Sequence, residues 1–360
     1  MTAYDVVVVG LGGMGSATAA ALARRGQRVL GLDRYPAVHD QGASHGETRI
    51  VRKAYFEGAA YVPLLHRAYE LWDELGLLTR TGGLFLGEEG SRVLGGSLAT
   101  AREWDLPHEL LDAAAVTARF PDMTPPAGTA ALYEADAGFV SPEAAVRAQL
   151  ERAVAAGAEL HHEEPVTDWS ADGDGVTVTT EGGRYSAGAL VVAAGRWAVD
   201  LLPGLAVPLR VESRTMHWFD VPAGTFTPGR FPVWIWERPD GTTPYGVPSV
   251  GPGVKAAVHH STVQSAEDWT AEQVGELLRP LLPGLGAPLR AAPCTYTMTP
   301  DEHPVVGKHP VSDRVLVACG FSGHGFKLTP VVGEALAALA VDGTSPHDLS
   351  TFDPLRVLPG

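Results

Sequence analysis

The chain opens on an unbroken apolar block, Val6-Val7-Val8-Val9, which runs into Gly10-Leu11-Gly12-Gly13-Met14-Gly15 and then an alanine-rich stretch ending at Gly26. A short apolar block bounded by glycine reads as a strand buried on both faces, and the stretch after it as a helix packed on the sheet. A second strand, Arg28 to Asp33, ends on an acid. Strand, G-x-G-x-x-G, helix, strand and acid in this order form the entrance of a dinucleotide-binding α/β domain. Gly10 permits the tight turn, Gly12 lets backbone amides approach a pyrophosphate, Gly15 brings the helix close to the sheet, and the helix N-terminus favours negative charge. Asp33 is placed to hold an adenosine ribose; Gly13, Met14 and Arg34 join these residues as cofactor-binding candidates.

Further on the texture alternates. Gln41 to Ala54 is polar and glycine-punctuated and reads as a long loop or irregular crossover, and helical spacing resumes from Tyr61 to Leu75. Between Gly82 and Gly138 short strands, turns and one helix near Leu98 to Trp104 predict an excursion into a second domain. Ser141 to Gly157 is an amphipathic helix followed by the strand Glu159 to His161. A hairpin-like pair, Val176 to Thr180 and Arg184 to Ser186, leads to the apolar strand Ala189 to Ala194. Beyond Pro203, Arg210 to Phe219 and Val233 to Glu237 predict an antiparallel sheet. A last apolar strand from Val315, a glycine-rich turn and a helix Thr329 to Ala340 restore the opening pattern. The expected fold class is α/β with an α+β second domain: a Rossmann-like dinucleotide domain from residues 1–80, 141–205 and 295–360, and a mixed, largely antiparallel substrate domain from 81–140 and 206–294.

Composition narrows the partners. A length of 360 residues favours two domains. A net charge of -15 disfavours nucleic acid and anionic lipid, leaving small molecules as the expected partners. Two cysteines, Cys294 and Cys319, fit neither a disulfide scaffold nor a zinc pattern. The first apolar run is only a strand long and lacks a basic leader or cleavage site, so neither export signal nor membrane span is expected, and a cytoplasmic location follows.

Strand-plus-glycine signals recur at Val191 to Gly195 and Cys319 to Gly325, spacing that fits an extended FAD better than a nicotinamide cofactor held by one contiguous domain. Three motifs carry a specific likeness: Ser44-His45-Gly46-Glu47-Thr48-Arg49-Ile50-Val51-Arg52, Cys294-Thr295-Tyr296-Thr297 and Gly320-Phe321-Ser322-Gly323-His324-Gly325-Phe326-Lys327. Together they resemble the monomeric sarcosine oxidase and N-methyltryptophan oxidase family, in order and over essentially the whole chain. The resemblance implies FAD linked through Cys294, O2 as electron acceptor, an amine or amino acid as substrate, and a monomer. It implies that Arg52 and Lys327 hold the substrate carboxylate, which suits the chemistry: an arginine fork fixes geometry and a lysine adds a point charge. It places Arg49 and His45 near the flavin, with Ser44, Thr48, Val166, Ala194, Gly195 and Trp197 as further contacts. From the last motif it adds Gly320, Ser322, Gly323, His324, Gly325 and Phe326, with Lys327 also beside the cofactor.

Lys255 and His259 share one face of the strand Gly253 to His259. The resemblance gives Lys255 the activation of O2 and His259 a place in the same pocket. A cation about 4 Å from O2 as it gains an electron contributes up to about 4 kcal/mol at an effective dielectric near 20. Tyr245 and Tyr296 correspond to two pocket tyrosines, and Tyr245 is also counted with the catalytic residues. Ile235 and Val247 stand where relatives carry a methionine and an aromatic, which reshapes the cavity and favours a substrate bulkier than sarcosine. Cys319, Trp234 and Trp236 read as core.

The expected reaction is oxidation of a secondary amine, of an N-methyl or cyclic amino acid, to the imine with release of hydrogen peroxide. A flavin dehydrogenase that passes electrons to a quinone or carrier, and a non-catalytic FAD-binding sensor, are the alternatives. Gly320 to His324 lacks the final glycine of a nucleophile elbow. The pairs His161-His162 and His259-His260 diverge on strands, so no metal site is expected.

Overall fold

The computed structural model describes residues 3–173, 175–260 and 268–358. The opening block folds as β1 (Ala3–Val9), the alanine-rich stretch as α1 (Gly13–Arg24) and the next apolar block as β2 (Val29–Leu32). β1 and β2 run parallel, with Val6 opposite Val29 and Val9 opposite Leu32. Successive side chains of a strand point to opposite faces, so Val6 and Val8 enter one core while Val7 and Val9 enter another. Full burial of each valine is worth about 1.5–3 kcal/mol, which fixes this block in the middle of a sheet.

Among the described residues the strands form two eight-stranded sheets and one three-stranded sheet. In the first, Glu159–His161, β2, β1, Arg184–Val192 and Ser312–Cys319 lie side by side and parallel. The pieces expected at Arg184 to Ser186 and Ala189 to Ala194 are one strand that changes partner midway. Its first half pairs antiparallel with Val176–Thr180, and its second half parallel with Ser312–Cys319. The strand Val166–Ala171, half of it exposed and with no regular alternation of apolar residues, completes the hairpin and lies outside the elements expected from the sequence. α1 packs between the helices Pro142–Ala155 and Thr329–Asp342. The first of these is started by Ser141, whose hydroxyl accepts from the Ala144 amide at 3.3 Å.

The second sheet runs, in spatial order, Pro288–Met298, Arg210–Phe219, Val254–His260, Thr243–Val247, Val233–Trp236, Gly83–Gly87, Ala130–Glu134 and Glu109–Asp112. Every pairing is antiparallel except that of Val233–Trp236 with Gly83–Gly87. Alternation sends Trp234 and Trp236 into the core beneath Ala271–Leu278 and Ile235 to the opposite face. Pro288–Met298 runs unbroken in this sheet across position 294/295, where the sequence reading divides the domains. The helix expected near Leu98 to Trp104 spans Arg92–Glu103, and a second, Ala113–Arg119, follows the capping residue Asp112. No helix among the described residues is long and apolar enough to cross a membrane.

The small third sheet joins Arg49–Val51, Gly138–Val140 and Thr79–Arg80. Within the expected loop or irregular crossover from Gln41 to Ala54 it makes a strand of Arg49–Val51 alone, and Arg52 leaves the end of that strand 1% exposed.

Candidate active site

Between the first sheet and the edge of the second runs a cavity of about 470 Å³. The opening turn supplies Gly10, Gly12, Gly13 and Met14 to its wall, and the end of β2 supplies Asp33 and Arg34. Asp33 Oδ2 accepts from the Leu11 amide at 2.7 Å and Oδ1 from the Tyr35 amide at 2.9 Å. Burial opposes ionisation of this carboxyl, yet hydrogen bonds from His39 and those amides hold it below its ordinary range. Gly15 is not in the wall; it packs against the backbone of Gly10, which brings α1 down onto the strand. Further along the wall are Ser44 and Arg49, then Val166, Ala194, Gly195 and Trp197. The inner end is formed by Cys294, Gly320, Ser322, Gly323, Gly325 and Phe326.

There a second cavity of about 70 Å³ adjoins it, and Arg49, Cys294, Tyr296, Gly323 and Phe326 line both. Gly323 has φ +82°, and a side chain there would overlap the Tyr296 ring, so the turn requires glycine twice over. The small cavity also gathers Arg52, Lys327, His324, Tyr245, Ile235, Ala257 and His259. Thus Arg52 from the third sheet, Tyr245, His259 and Tyr296 from the second and Lys327 from the last turn meet at one point. His324 and Lys327, expected beside the cofactor, line only this small cavity, because both side chains turn toward Tyr55.

Besides Gly15, four expected residues line neither cavity. Val247 shares the face of Tyr245 but is fully buried with Phe85, Val233 and Leu94, beyond the cavity. Lys255 lines neither cavity; its ammonium donates to the carbonyls of Gly46 at 2.9 Å and Thr48 at 2.5 Å. His45 and Thr48 are buried outside both linings, and their Nε2 and Oγ1 atoms have no hydrogen-bond partner. Alternation along Val254–His260 still holds: Ala257 and His259 reach the small cavity while Val254, Ala256 and Val258 enter the opposite core. His259 Nδ1 lies 3.3 Å from the Tyr296 hydroxyl.

Residues that sequence reasoning missed complete the site. Glu57 lies 2.5 Å from Arg52 Nη2, and Tyr55 and Phe56 stack on the same guanidinium at 4.2 and 4.3 Å. The available signal was that an arginine held out of water needs an anion within reach. Burial opposes ionisation of Glu57, but the charge of Arg52, with those of His324 and Lys327, holds its pKa down to about 2. Burial and the charge of Arg52 bring Lys327 down to about 7. Lys255 is pushed well below the ordinary lysine range, first by burial and then by Arg49. Burial also lowers His45, with Arg49 adding to it. Arg214 and Met216 were missed as well; Arg214 pairs with Glu212 and stacks on Tyr296 at 5.3 Å, and Met216 Sδ accepts from Arg49 at 3.6 Å. Both cysteines are free and buried, and burial raises Cys319 to about 12.

Among the described residues no cluster of three or more His, Cys, Asp or Glu is arranged to hold a metal. His161 is held between Glu159 and Glu164 at 2.8 Å each; the side chain of His260 lies outside the described residues.

The long cavity suits an FAD. The glycine turn and the N-terminus of α1 line its wall together with the buried acid Asp33. The sequence profile of the FAD dependent oxidoreductases matches residues 5–339. The chain belongs to this family. It is 46% identical to monomeric sarcosine oxidase of Streptomyces avermitilis, covering 98% of both chains. It is 36% identical to N-methyl-L-tryptophan oxidase of Escherichia coli over 97% of this chain and 98% of the other. Among solved structures of the family, the open form of NikD, an amino acid oxidase essential for nikkomycin biosynthesis, superposes with a TM-score of 0.84 at 26% identity, over 100% and 99% of the two chains. The protein is therefore an FAD-dependent oxidoreductase of mixed α/β fold.

Proposed function

We propose that the protein oxidises the secondary amine of a small N-methyl or cyclic amino acid to the imine, with O2 reduced to hydrogen peroxide. The observation that carries this reading is the meeting of the two cavities, where Arg52 and Lys327 stand buried across from Cys294 and Tyr296. Arg52 and Lys327 against Glu57 leave one positive charge, which a substrate carboxylate neutralises. That carboxylate in turn favours the protonated form of Lys327. The same cations, with Arg49 and Arg214 at the wall, disfavour an ammonium on the substrate, so its nitrogen loses a proton and enters as the neutral amine. Tyr245, Tyr296, Ile235 and Phe56 exclude water around the carbon next to nitrogen. The chemistry that bound FAD supplies is acceptance of the electron pair and hydrogen from that carbon and transfer of the pair to O2. No strong base is needed in such a site; holding the carbon at the right distance supplies much of the rate.

The small cavity, at about 70 Å³, and the burial of Val247 outside it both weigh against a substrate much larger than sarcosine. We assign Cys294 the thioether to the flavin 8-methyl carbon. Cys294 would hold the cofactor through this bond, whose formation would release the thiol hydrogen and one methyl hydrogen, with their two electrons passing to O2. We assign Lys255, through its positive field behind Gly46 and Thr48, the attraction of O2 as it gains charge, and the protein works as a monomer.

The test is peroxide release and O2 uptake by the purified yellow protein on sarcosine, N-methyl-L-tryptophan, L-proline and pipecolate. Stoichiometric peroxide with sarcosine or another small member of the set is the expected result. Bleaching of the flavin by substrate under nitrogen, without peroxide in air, would instead identify a dehydrogenase that uses another acceptor.

A further inference from the structure

Behind the small cavity, three buried side chains form a directed chain of hydrogen bonds. His324 Nε2 lies 2.9 Å from the carbonyl oxygen of Glu302, which can only accept, so Nε2 carries the proton. Burial lowers the imidazole to about 4, so the ring is neutral at neutral pH and Nδ1 is the acceptor. Tyr55 donates its hydroxyl to Nδ1 at 2.6 Å. Its oxygen is then left to accept, and Lys327 Nζ donates to it at 3.1 Å and to the His324 carbonyl at 2.5 Å. An ammonium has three N–H groups. Two are held by the protein, and the third remains for the cavity that Lys327 lines.

The far end of this chain is itself fixed. Glu302 sits at φ +61°, a conformation that costs a non-glycine residue about 1–3 kcal/mol and persists only where its surroundings impose it. Its amide donates to the Thr299 carbonyl at 3.2 Å and its carboxylate holds Arg92 at 2.7 Å. Its carbonyl is thereby aimed at His324.

We propose that Tyr55 and His324 are positioning residues that orient the Lys327 ammonium, leaving a single N–H directed at the substrate carboxylate. This rests on the reading of Lys327 as a carboxylate ligand. Losing the Tyr55 hydroxyl removes one acceptor of the ammonium, which misdirects it and also disfavours its charge. Losing the His324 ring removes the nearer of the two acceptors of the Tyr55 hydroxyl, at 2.6 Å, and leaves only the His324 carbonyl at 3.2 Å, so the hydroxyl oxygen that accepts from Lys327 is held less firmly.

The test uses methoxyacetate, which replaces the amine of sarcosine by an ether oxygen and cannot be oxidised to an imine. Its dissociation constant is followed by perturbation of the flavin spectrum of the holoenzyme across pH. Tyr55→Phe, which keeps the ring and its packing, is expected to weaken binding about tenfold, the worth of one hydrogen bond to a charged group, and to move the loss of binding to lower pH. His324→Leu should shift the profile the same way, while His324→Asn, which presents an oxygen to Tyr55, should restore most of the affinity. A purely packing role would weaken binding equally at every pH and leave the midpoint in place. The proposal is overturned if Tyr55→Phe keeps the wild-type midpoint while Lys327→Met loses affinity. If Lys327→Met itself binds as wild type, the carboxylate reading fails and the positioning role with it.

Discussion

Glu57 is what makes two buried cations tolerable side by side, since it touches Arg52 and lies in the field of Lys327. Removing its charge leaves the pocket more positive. Glu57→Gln is therefore expected to tighten methoxyacetate binding several-fold below neutrality, where Lys327 is protonated. It should also move the loss of binding to lower pH, because Lys327 then gives up its proton at lower pH; titrations on either side of pH 7 check both arms. Cys294→Ser should release the yellow colour into the supernatant on acid precipitation, where the parent protein keeps it. Lys255→Met should slow O2 uptake by one to three orders of magnitude, about 1.4–4 kcal/mol, while bleaching of the flavin by substrate under nitrogen stays near its original rate. At this scale the sequence was legible where a motif carried the residue: Arg52, Lys327, Cys294 and Tyr296 converge on one cavity. Glu57 and Tyr55 were not legible, because their importance comes from what they touch after folding. Val247 lies on the expected face but one step too far along its strand, a displacement that alternation alone does not reveal.

At the scale of elements, the segment from Ser44 to Thr48 is suspended between a carboxylate and a lysine side chain. The Glu143 carboxylate, in the first turn of Pro142–Ala155, accepts from the amides of Gly46 at 2.6 Å and Glu47 at 3.0 Å. From the other side Lys255 holds the carbonyls of Gly46 and Thr48. Glu143→Ala removes one side of this suspension and leaves the buried Gly46 amide and the half-buried Glu47 amide unpaired, at about 1–3 kcal/mol for the first and less for the second. It is expected to lower the melting temperature by several degrees, read by calorimetry, and to reduce the flavin content of the purified protein. The opening unit was readable as apolar blocks punctuated by glycine, and the helix Val62–Leu75 by the helical spacing of its buried residues. Val166–Ala171 was not, since its partners rather than its own apolar residues make it a strand.

For the molecule as a whole, buried lysines couple stability to pH. Lys327 titrates near 7 in the folded chain and at the ordinary lysine value when unfolded. Between these pH values the unfolded chain binds the extra proton, so stability rises with pH across that window and gains nothing from this group below it. Denaturant titrations of the ligand-free holoenzyme at pH 7 and at about pH 9 should show the increase, and Lys327→Met should remove this contribution. The two large sheets were foreseeable from the change of texture along the chain, whereas the exact crossing points were not, because Pro288–Met298 reads as one strand only through its pairing with Arg210–Phe219.

That strand has one more consequence. Cys294 belongs to the second sheet, while the glycine turn and Asp33 that face the long cavity belong to the first. A thioether at Cys294 would make the prosthetic group a rivet between the two halves, so a protease nick in a loop joining them would yield fragments that still travel together as one yellow particle until denatured.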